Sequence, residues 1–260
     1  MNKDNKRERQ LAAFGRLLDV VETIREKCPW DSVQTFQSLR PNTIEEAMEL
    51  AEALLSGDAA HIRTELGDVL MHVLLYALIA EGEGSFDLAD VCDTLRDKLV
   101  FRHPRIFGGG EAGDTWEVIK MREKGGNKTV LGGVPATLPS LIKAERIQEK
   151  AANVGFDWPD RRGVWDKVKE ETGEVEREML EGHEVEREKE FGDLIFAVVN
   201  AARLYGVRAD NALERTNRKF VARFNHIESR AKEQGRSVNE LSLQEMDELW
   251  DEAKKQKLGE

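Results

Sequence analysis

The sequence has few of the residues on which several classes of protein depend. Its 260 residues include two cysteines, Cys28 and Cys92, whose spacing fits neither a metal-binding motif nor a redox motif. Five histidines are present, and none has a glutamate three residues before it. A di-iron carboxylate bundle is therefore disfavoured, because that class uses Glu-x-x-His on two helices. The Gly-x-x-x-x-Gly-Lys-Ser/Thr loop of P-loop ATPases is missing too.

Long apolar segments are also missing. The longest apolar stretch, residues 69–80, contains His72 and is too short to cross a bilayer, and the first ten residues are mostly charged and polar. The net charge of −11 disfavours binding to the phosphate backbone of nucleic acids. We therefore expect a soluble cytoplasmic protein that binds neither a membrane nor, stably, a nucleic acid.

Apolar residues recur at three- and four-residue steps along most of the chain, which predicts an all-α fold without strands. In the first half, the first expected helix ends near Cys28 and the second begins at Pro41. The third spans 59–81 with Asp58 as its cap, and the fourth runs from about 87 to before Pro104. In the second half they cover about 139–150, 163–180, 183–205, 210–233 and 242–255. Eight glycines and two prolines between residues 108 and 140 predict a linker with a short helix at 114–124.

A pattern of five acids occurs twice, and the two copies are 125 residues apart. The first copy is Glu45, Glu46, Glu49, Glu65 and Asp68, and the second is Glu170, Glu171, Glu174, Glu190 and Asp193. Helical residues three or four apart share a face, so a hairpin of two acidic helices brings these carboxylates together. Converging carboxylates repel one another unless a cation lies between them, and oxygen ligands favour Mg²⁺ or Mn²⁺ over zinc. The repeat predicts two modules, each with a metal site.

Two simpler interpretations compete with a metal site. Thr43-x-x-Glu46 fits a capping box, which would make Glu46 part of a helix end. Any single glutamate is also more often a solvated surface residue than a ligand.

Gly67 and Gly192, between the last two acids of each copy, predict close approach of a neighbouring helix.

Basic and aromatic residues follow each acidic copy in the same order. Lys98 and Arg102 precede a Trp116-x-x-x-Lys120 pattern, and the later set is Lys219, Arg223, Trp250 and Lys254. A lysine and an arginine on one helical face supply the positive charge that a polyphosphate needs. An indole can stack on a nucleobase. Alone, each pair would be a solvated face or a core anchor; the repeated order favours nucleotide binding.

At this point the motifs resemble a known family. Cys28-Pro29-Trp30-Asp31, Leu39-Arg40-Pro41, Ile44-Glu45-Glu46-Ala47, Glu65-Leu66-Gly67-Asp68 and Glu190-Phe191-Gly192-Asp193 are similar to the MazG nucleoside triphosphate pyrophosphohydrolases, of the all-α NTP pyrophosphatase superfamily. The resemblance implies a tandem repeat of two helical-bundle domains, residues 1–107 and 140–260, joined by a Gly-rich linker at 108–139. It implies Mg²⁺-dependent hydrolysis of nucleoside triphosphates, of broad base range, to monophosphate and pyrophosphate by a homodimer.

The resemblance also implies roles for the repeated residues. Glu171, Glu174, Glu190 and Asp193 would hold the metal in the second half, and Glu46, Glu49, Glu65 and Asp68 in the first. Glu170 and Glu171 are the candidates for accepting a proton from water. The expected nucleotide contacts are Glu170, Lys219, Arg223, Trp250 and Lys254, with Glu45, Lys98, Arg102, Trp116 and Lys120 as their first-half matches.

Two alternatives to an enzyme remain open at this stage. One is a regulatory helical dimer that binds nucleotides without hydrolysing them, and the other is a structural bundle whose acids face solvent. The sequence leaves open which nucleotide is preferred and whether one half or both halves are active.

Overall fold

The computed structural model describes residues 3–108, 119, 122, 129–182 and 184–259. The chain divides into two compact units, unit 1 at Met1–Ala112 and unit 2 at Gly113–Glu260. Within the described ranges every regular element is a helix, which confirms the all-α prediction. None of the helices there has the length and apolar content needed to cross a membrane.

The described part of unit 1 contains four long α-helices and one short one, with a 3₁₀ turn at Asp31–Val33. They are α1 (Lys3–Lys27), α2 (Phe36–Ser56), α3 (Ala59–Gly82), α4 (Leu88–Arg102) and α5 (Pro104–Phe107). Asp58 caps α3, since its carboxylate accepts a hydrogen bond from the backbone N–H of Ala60 at 2.8 Å. Asp87 caps α4 in the same way through Asp90. Both starts were predicted from the sequence.

The start of α2 differs from the prediction. The helix begins at Phe36 and not at Pro41, which lies inside it. Thr35 and Ser38 form a reciprocal capping box: Thr35 Oγ1 accepts from Ser38 N at 3.2 Å, and Ser38 Oγ accepts from Thr35 N at 2.8 Å. This cap begins the helix more than one turn before Pro41, and the proline costs one backbone donor near its start.

Unit 1 has an apolar core on one side of α3. Leu74, Leu75 and Ile79 of α3 are buried with Val21 of α1 and Leu39 of α2. Leu17 and Leu18 of α1 pack against this cluster. Glu65 and Asp68 precede these core residues along α3, so the acids lie outside the apolar cluster although Glu65 is itself buried.

Unit 2 repeats the helical hairpin and adds a second one. The α-helices that the structure describes in full in unit 2 are α6 (Ser140–Ala152), α7 (Gly163–Glu181), α8 (Glu184–Leu204), α9 (Ala209–Glu233) and α10 (Leu243–Lys255), with a 3₁₀ turn at Val238–Glu240. The acidic helices α7 and α8 pack against each other, and α6 packs on α8. Helices α9 and α10 form a second hairpin around Ile227, Ala231 and Leu241.

The two acidic hairpins are equivalent in their connections as well as in their acids. Gly57 ends α2 and Gly182 ends α7, again 125 residues apart, with φ values of +74° and +85°. Glycine adopts this left-handed conformation at no steric cost, which lets each helix end sharply before its partner begins. The tandem repeat predicted from the acids is confirmed by this shared backbone plan.

The predicted linker is described only in its last part. Residues 129–139 contact α6, where Lys150 Nζ donates to the carbonyl of Val130 at 3.2 Å. Most of the predicted helix at 114–124 lies outside the described residues. The domain boundaries at 107 and 140 therefore stay a prediction.

The start of α10 allows a stability prediction. Glu245 accepts hydrogen bonds from Arg236 Nη1 and from the backbone N–H of Ser242, both at 2.7 Å. Arg236 first and Ser242 next lower the pKa of Glu245 from 4.5 to about 2. The stabilising effect of this carboxylate is therefore present above pH 4.5 and is lost as pH falls towards 2. We expect Glu245→Gln to unfold at lower denaturant concentration than wild type at pH 7, with the difference shrinking below pH 4.5.

A control for this test lies on the same helix. Asp247→Asn removes an exposed carboxylate from the first two turns of α10 and should have a smaller effect at pH 7. Equal unfolding midpoints for Glu245→Gln and wild type at pH 7 would refute the assigned role of the carboxylate.

Candidate metal and nucleotide site

Helices α7 and α8 bring the second acidic copy together. Oxygens of Glu170, Glu171 and Glu174 lie within 4.8 Å of one another, and so do oxygens of Glu171, Glu190 and Asp193. Glu171 belongs to both groups and is only 4% exposed. The five predicted acids of unit 2 therefore converge around one buried carboxylate.

Helices α2 and α3 form the matching cluster in unit 1. Oxygens of Glu46, Glu49 and Glu65 lie within 4.8 Å of one another. Asp68 is close enough for its charge to raise the pKa of Glu46. Glu45 is exposed at the edge of the group.

Electrostatics in both clusters oppose full ionisation. Desolvation first, and the charges of Asp68, Glu49 and Glu65 next, raise the pKa of Glu46. Desolvation and Glu65 raise the pKa of Glu49, and in unit 2 desolvation and Glu171 raise the pKa of Glu174. Each cluster thus holds more negative charge than its surroundings neutralise, which is the condition that a bound cation relieves.

Lys167 provides positive charge in unit 2, and the sequence interpretation missed it. Its ammonium lies 2.6 Å from Glu171 Oε1 and 2.9 Å from Glu170 Oε1. These hydrogen bonds, to Glu171 first, raise the pKa of Lys167. The signal was a Lys-x-x-Glu-Glu spacing on one helical face. The matching position of unit 1 is Asn42, so the two sites differ in charge.

The donor set fits a hard divalent cation. Glu65 is 6% exposed; its Oε1 lies 3.2 Å from His61 Nε2, and its Oε2 is buried without a hydrogen-bond partner among the described residues. A buried carboxylate oxygen without a partner is unfavourable unless an ion occupies the space beside it. Carboxylate oxygens without cysteine ligands are the set that Mg²⁺ and Mn²⁺ prefer.

A cavity of about 820 Å³ opens beside the acids of unit 2. Lys167 and Glu171 of α7 and Asp193 of α8 line the end near the acids. The rest of the wall combines aliphatic residues, among them Leu131, Ile147 and Ala197, with aromatic and polar ones, which are Gln148, Phe156, Asp157, Trp158, Phe196, Asn200 and Arg203. This size and mixture are typical of a site for a small organic ligand.

The polar part of this wall is held by an ion pair. Arg203 Nη1 donates to Asp157 Oδ2 at 3.1 Å, and a second arm of the guanidinium contacts the other oxygen. Arg203 lowers the pKa of Asp157 in consequence. The same guanidinium donates to Asn200 Oδ1 from Nε at 3.0 Å and from Nη2 at 2.8 Å. Bidentate pairing of this kind fixes the orientation of all three side chains.

The matching face of unit 1 is apolar. At the positions equivalent to Phe196, Asn200 and Arg203, α3 carries Met71, Leu75 and Leu78. Leu75 is buried in the core, and Met71 and Leu78 pack against it together with residues of α1. Unit 1 therefore has the acids, but the helix face that lines the cavity in unit 2 is covered by packed side chains in unit 1.

The predicted nucleotide contacts of α9 and α10 form their own group. The Arg223 guanidinium lies 5.6 Å from the centre of the Trp250 ring, and Phe220 packs on the same ring at 5.1 Å. Lys254 Nζ is 3.1 Å from Asp251 Oδ1, and Lys219 is half-buried on α9. No described residue of α9 or α10 lines the 820 Å³ cavity. Their role in binding nucleotide stays a prediction.

The first-half matches of these contacts are only partly described. Lys98 is exposed and Arg102 half-buried on α4. Trp116 and Lys120 lie outside the described residues.

Two sequence interpretations are wrong. Thr43 caps no helix, because it lies inside α2 and its Oγ1 is 2.8 Å from His72 Nδ1 and 2.6 Å from the Tyr76 hydroxyl. Glu46 is therefore not part of a capping box. Gly67 and Gly192 are not points of close approach, since a Cβ at either would meet no described atom within 4 Å.

Comparison with known proteins defines the class. A family model described as the MazG nucleotide pyrophosphohydrolase domain matches residues 34–107 and again residues 163–228. The two matches contain the two acidic clusters. The chain therefore belongs to the MazG family of nucleotide pyrophosphohydrolases, as the motifs predicted.

Relatives that match more than nine-tenths of this chain support the same assignment. The chain is 42% identical over 246 residues to the nucleoside triphosphate pyrophosphohydrolase/pyrophosphatase MazG of Thermotoga maritima, which covers 93% of this chain and 95% of that protein. It is 39% identical over 256 residues to the nucleoside triphosphate pyrophosphohydrolase of Escherichia coli K12, with 94% and 97% covered. It is also 47% identical over 251 residues to the uncharacterised Bacillus subtilis protein YabN, covering 93% of this chain and 51% of that protein.

Proposed function

We propose that this protein hydrolyses nucleoside triphosphates to the monophosphate and pyrophosphate, with Mg²⁺ or Mn²⁺ as cofactor and with a broad range of bases. The observation that carries the proposal is the cavity beside Glu171 and Asp193, because it offers room for a nucleoside next to a cluster of acids that could hold a metal ion. Family membership and the names of the relatives support the reaction class.

The acids divide into ligands and a proton acceptor. We assign Glu171, Glu174, Glu190 and Asp193 as metal ligands in unit 2, and Glu46, Glu49, Glu65 and Asp68 in unit 1. A bound ion supplies positive charge to phosphate oxygens and lowers the pKa of a coordinated water. Glu170 is exposed next to the buried Glu171, so we assign its carboxylate to accept the proton of the attacking water.

Cations of unit 2 stabilise the phosphates in this proposal. Lys167 already lies at the acid end of the cavity, within hydrogen-bond distance of Glu170 and Glu171. Lys219 and Arg223 supply further charge for the departing pyrophosphate, and Trp250 and Lys254 complete that nucleotide surface. Positive charge placed in advance is effective because it needs no reorganisation during the reaction.

We propose that catalysis belongs to unit 2. Unit 1 lacks the lysine, having Asn42 instead, and the face equivalent to the cavity wall is filled by Met71, Leu75 and Leu78. These differences favour a non-catalytic role for unit 1, in which its acids bind an ion or a nucleotide without turnover. The two unpaired cysteines are compatible with the cytoplasmic location that we propose.

We further propose a homodimer, formed through an apolar stripe on α8. Phe191, Ile195 and Val198 follow at helical spacing and are 45%, 52% and 46% exposed. Leu66 and Val73 are exposed at matching positions of α3. Large apolar side chains aligned on one exposed helix face are typical of an interface.

Association can be tested by a charge in this stripe. Ile195→Asp is expected to convert a dimer into a monomer in sedimentation equilibrium, because a buried unpaired carboxylate opposes assembly. Leu243→Asp is the control, since Leu243 is 73% exposed at the start of α10, away from the stripe. A dimer that persists in Ile195→Asp would refute this interface.

Product analysis tests the reaction itself. A nucleoside triphosphate incubated with the protein and Mg²⁺ should give monophosphate and pyrophosphate in equal amounts. Ligand-dependent stabilisation without any product would instead support the non-catalytic regulator.

A further inference from the structure

The cavity of unit 2 contains a buried acceptor that the proposed reaction does not use. Gln148 of α6 is 6% exposed and lines the cavity. Its Nε2 donates to the backbone carbonyl of Phe196 at 2.8 Å, which fixes the orientation of the amide. Its Oε1 is buried and has no hydrogen-bond partner in the described part of the chain. A buried acceptor without a partner is unfavourable, so this oxygen points to a donor on a ligand.

A second amide on the same wall, that of Asn200, is held through its oxygen, whereas Gln148 is held through its nitrogen. Asn200 Oδ1 accepts two hydrogen bonds from Arg203, which has donors only. The oxygen of Asn200 is therefore turned towards the guanidinium, and Nδ2 is left to donate. Since Asp157 holds Arg203 from the other side, this arrangement is rigid before any ligand binds.

Both amides line the cavity at or beside residues that follow Asp193 along α8. Phe196, whose carbonyl receives the Gln148 hydrogen bond, lies four residues before Asn200, or about 6 Å along the axis. Asp193 lies seven residues before Asn200, which is about 10.5 Å. A nucleotide with its phosphates at the acids would therefore direct its base towards Gln148 and Asn200.

The depth of the amides suggests which edge of the base they contact. Gln148 is buried, whereas Asn200 is half-buried. The exocyclic group at C6 of a purine or C4 of a pyrimidine projects furthest from the sugar, so it reaches the deeper amide. The adjacent ring nitrogen then faces Asn200. An amino group supplies the donor that Gln148 needs, and a carbonyl there would place two acceptors in contact.

We propose that Gln148 and Asn200 select nucleotides by the amino edge of the base. Gln148 accepts from the exocyclic amino group, and Asn200 donates to the neighbouring ring nitrogen of adenine or cytosine. This inference rests on the proposed function. It predicts that some bases are preferred within a broad substrate range, and it excludes none of them. Hypoxanthine and uracil present a carbonyl and a ring N–H at the same edge and are the less favoured bases.

Two pairs of nucleotides differ only at the amino edge of the base. One pair is ATP and ITP, and the other is CTP and UTP. We expect kcat/KM to favour ATP over ITP, and CTP over UTP, by about tenfold in wild type. In Gln148→Leu both ratios should fall to within about twofold of unity.

Controls separate recognition from folding and from the reaction. Gln244→Leu makes the same substitution on an exposed surface of unit 2 and should leave both ratios at the wild-type value. The shift in melting temperature caused by each nucleotide is a second readout. It should be larger for ATP than for ITP in wild type and equal for the two nucleotides in Gln148→Leu. This readout needs no turnover, so it remains decisive for any variant or for an inactive wild type.

The outcomes are distinguishable. If no nucleotide gave pyrophosphate, the proposed function would be refuted. The shifts in melting temperature would still test the role of Gln148. Equal values for ATP and ITP in wild type, or a preference that survives in Gln148→Leu, would overturn the proposal while leaving the hydrolase intact.

Discussion

Replacing Glu171 by glutamine is expected to lower the rate of pyrophosphate release by at least about a hundredfold. Glu171 belongs to both groups of converging carboxylates, is 4% exposed and lies at the cavity. Glutamine has nearly the same shape but no charge, so it removes a metal ligand while preserving the packing. The measurement is kcat/KM for ATP with saturating Mg²⁺, together with the melting temperature to show that the variant is folded.

Glu46→Gln is the matched variant, because Glu46 occupies the equivalent position of unit 1. We expect it to lower kcat/KM by less than about threefold, since unit 1 has Asn42 where unit 2 has Lys167 and lacks the polar cavity wall. Equal losses in the two variants would show that both units are catalytic. A large loss in Glu46→Gln alone would reverse the assignment of the active unit.

Addition of Mg²⁺ is expected to raise the melting temperature by about 5–10 °C when the ion is present at a hundred times its dissociation constant. Desolvation and mutual repulsion raise the pKa of Glu46, Glu49 and Glu174. A carboxylate whose folded pKa is raised contributes stability below pH 4.5 and loses it as pH rises through the raised value. The metal-free protein should therefore be less stable at pH 8 than at pH 5, and Mg²⁺ should have its larger effect at pH 8.

Potassium chloride at the same ionic strength is the control for screening, and it should give a much smaller shift. The double variant Glu49→Gln, Glu174→Gln removes one ligand and some repulsion from each cluster. It should respond less to Mg²⁺ and show less loss of stability at pH 8. Equal melting temperatures with and without Mg²⁺ at pH 8 would contradict the assignment of both clusters as metal sites.

Local signals predicted the fold well. Asp58 and Asp87 are caps that can be read from the sequence, and the glycines at 57 and 182 end helices where the pattern changes. The start of α2 was misplaced because Pro41 is a strong breaker signal, while the Thr35–Ser38 box that outweighs it uses a serine where glutamate is usual.

The acids of the site were predicted because the pattern is repeated on helices. The cavity wall was not, because it depends on contacts between distant segments. Gln148 meets Phe196 across 48 residues, and Arg203 meets Asp157 across 46. Nothing in the neighbouring sequence of these residues distinguishes them from ordinary polar positions, so only the packing of α6 on α8 reveals them.

The position of bond cleavage tests the proposed pyrophosphohydrolase activity most directly. ATP labelled in the γ-phosphate should be incubated with the protein and Mg²⁺, and the products separated. We expect the label to appear in pyrophosphate, with an equal amount of AMP, and Glu171→Gln to abolish both. Label in orthophosphate with ADP as the other product would contradict a pyrophosphohydrolase.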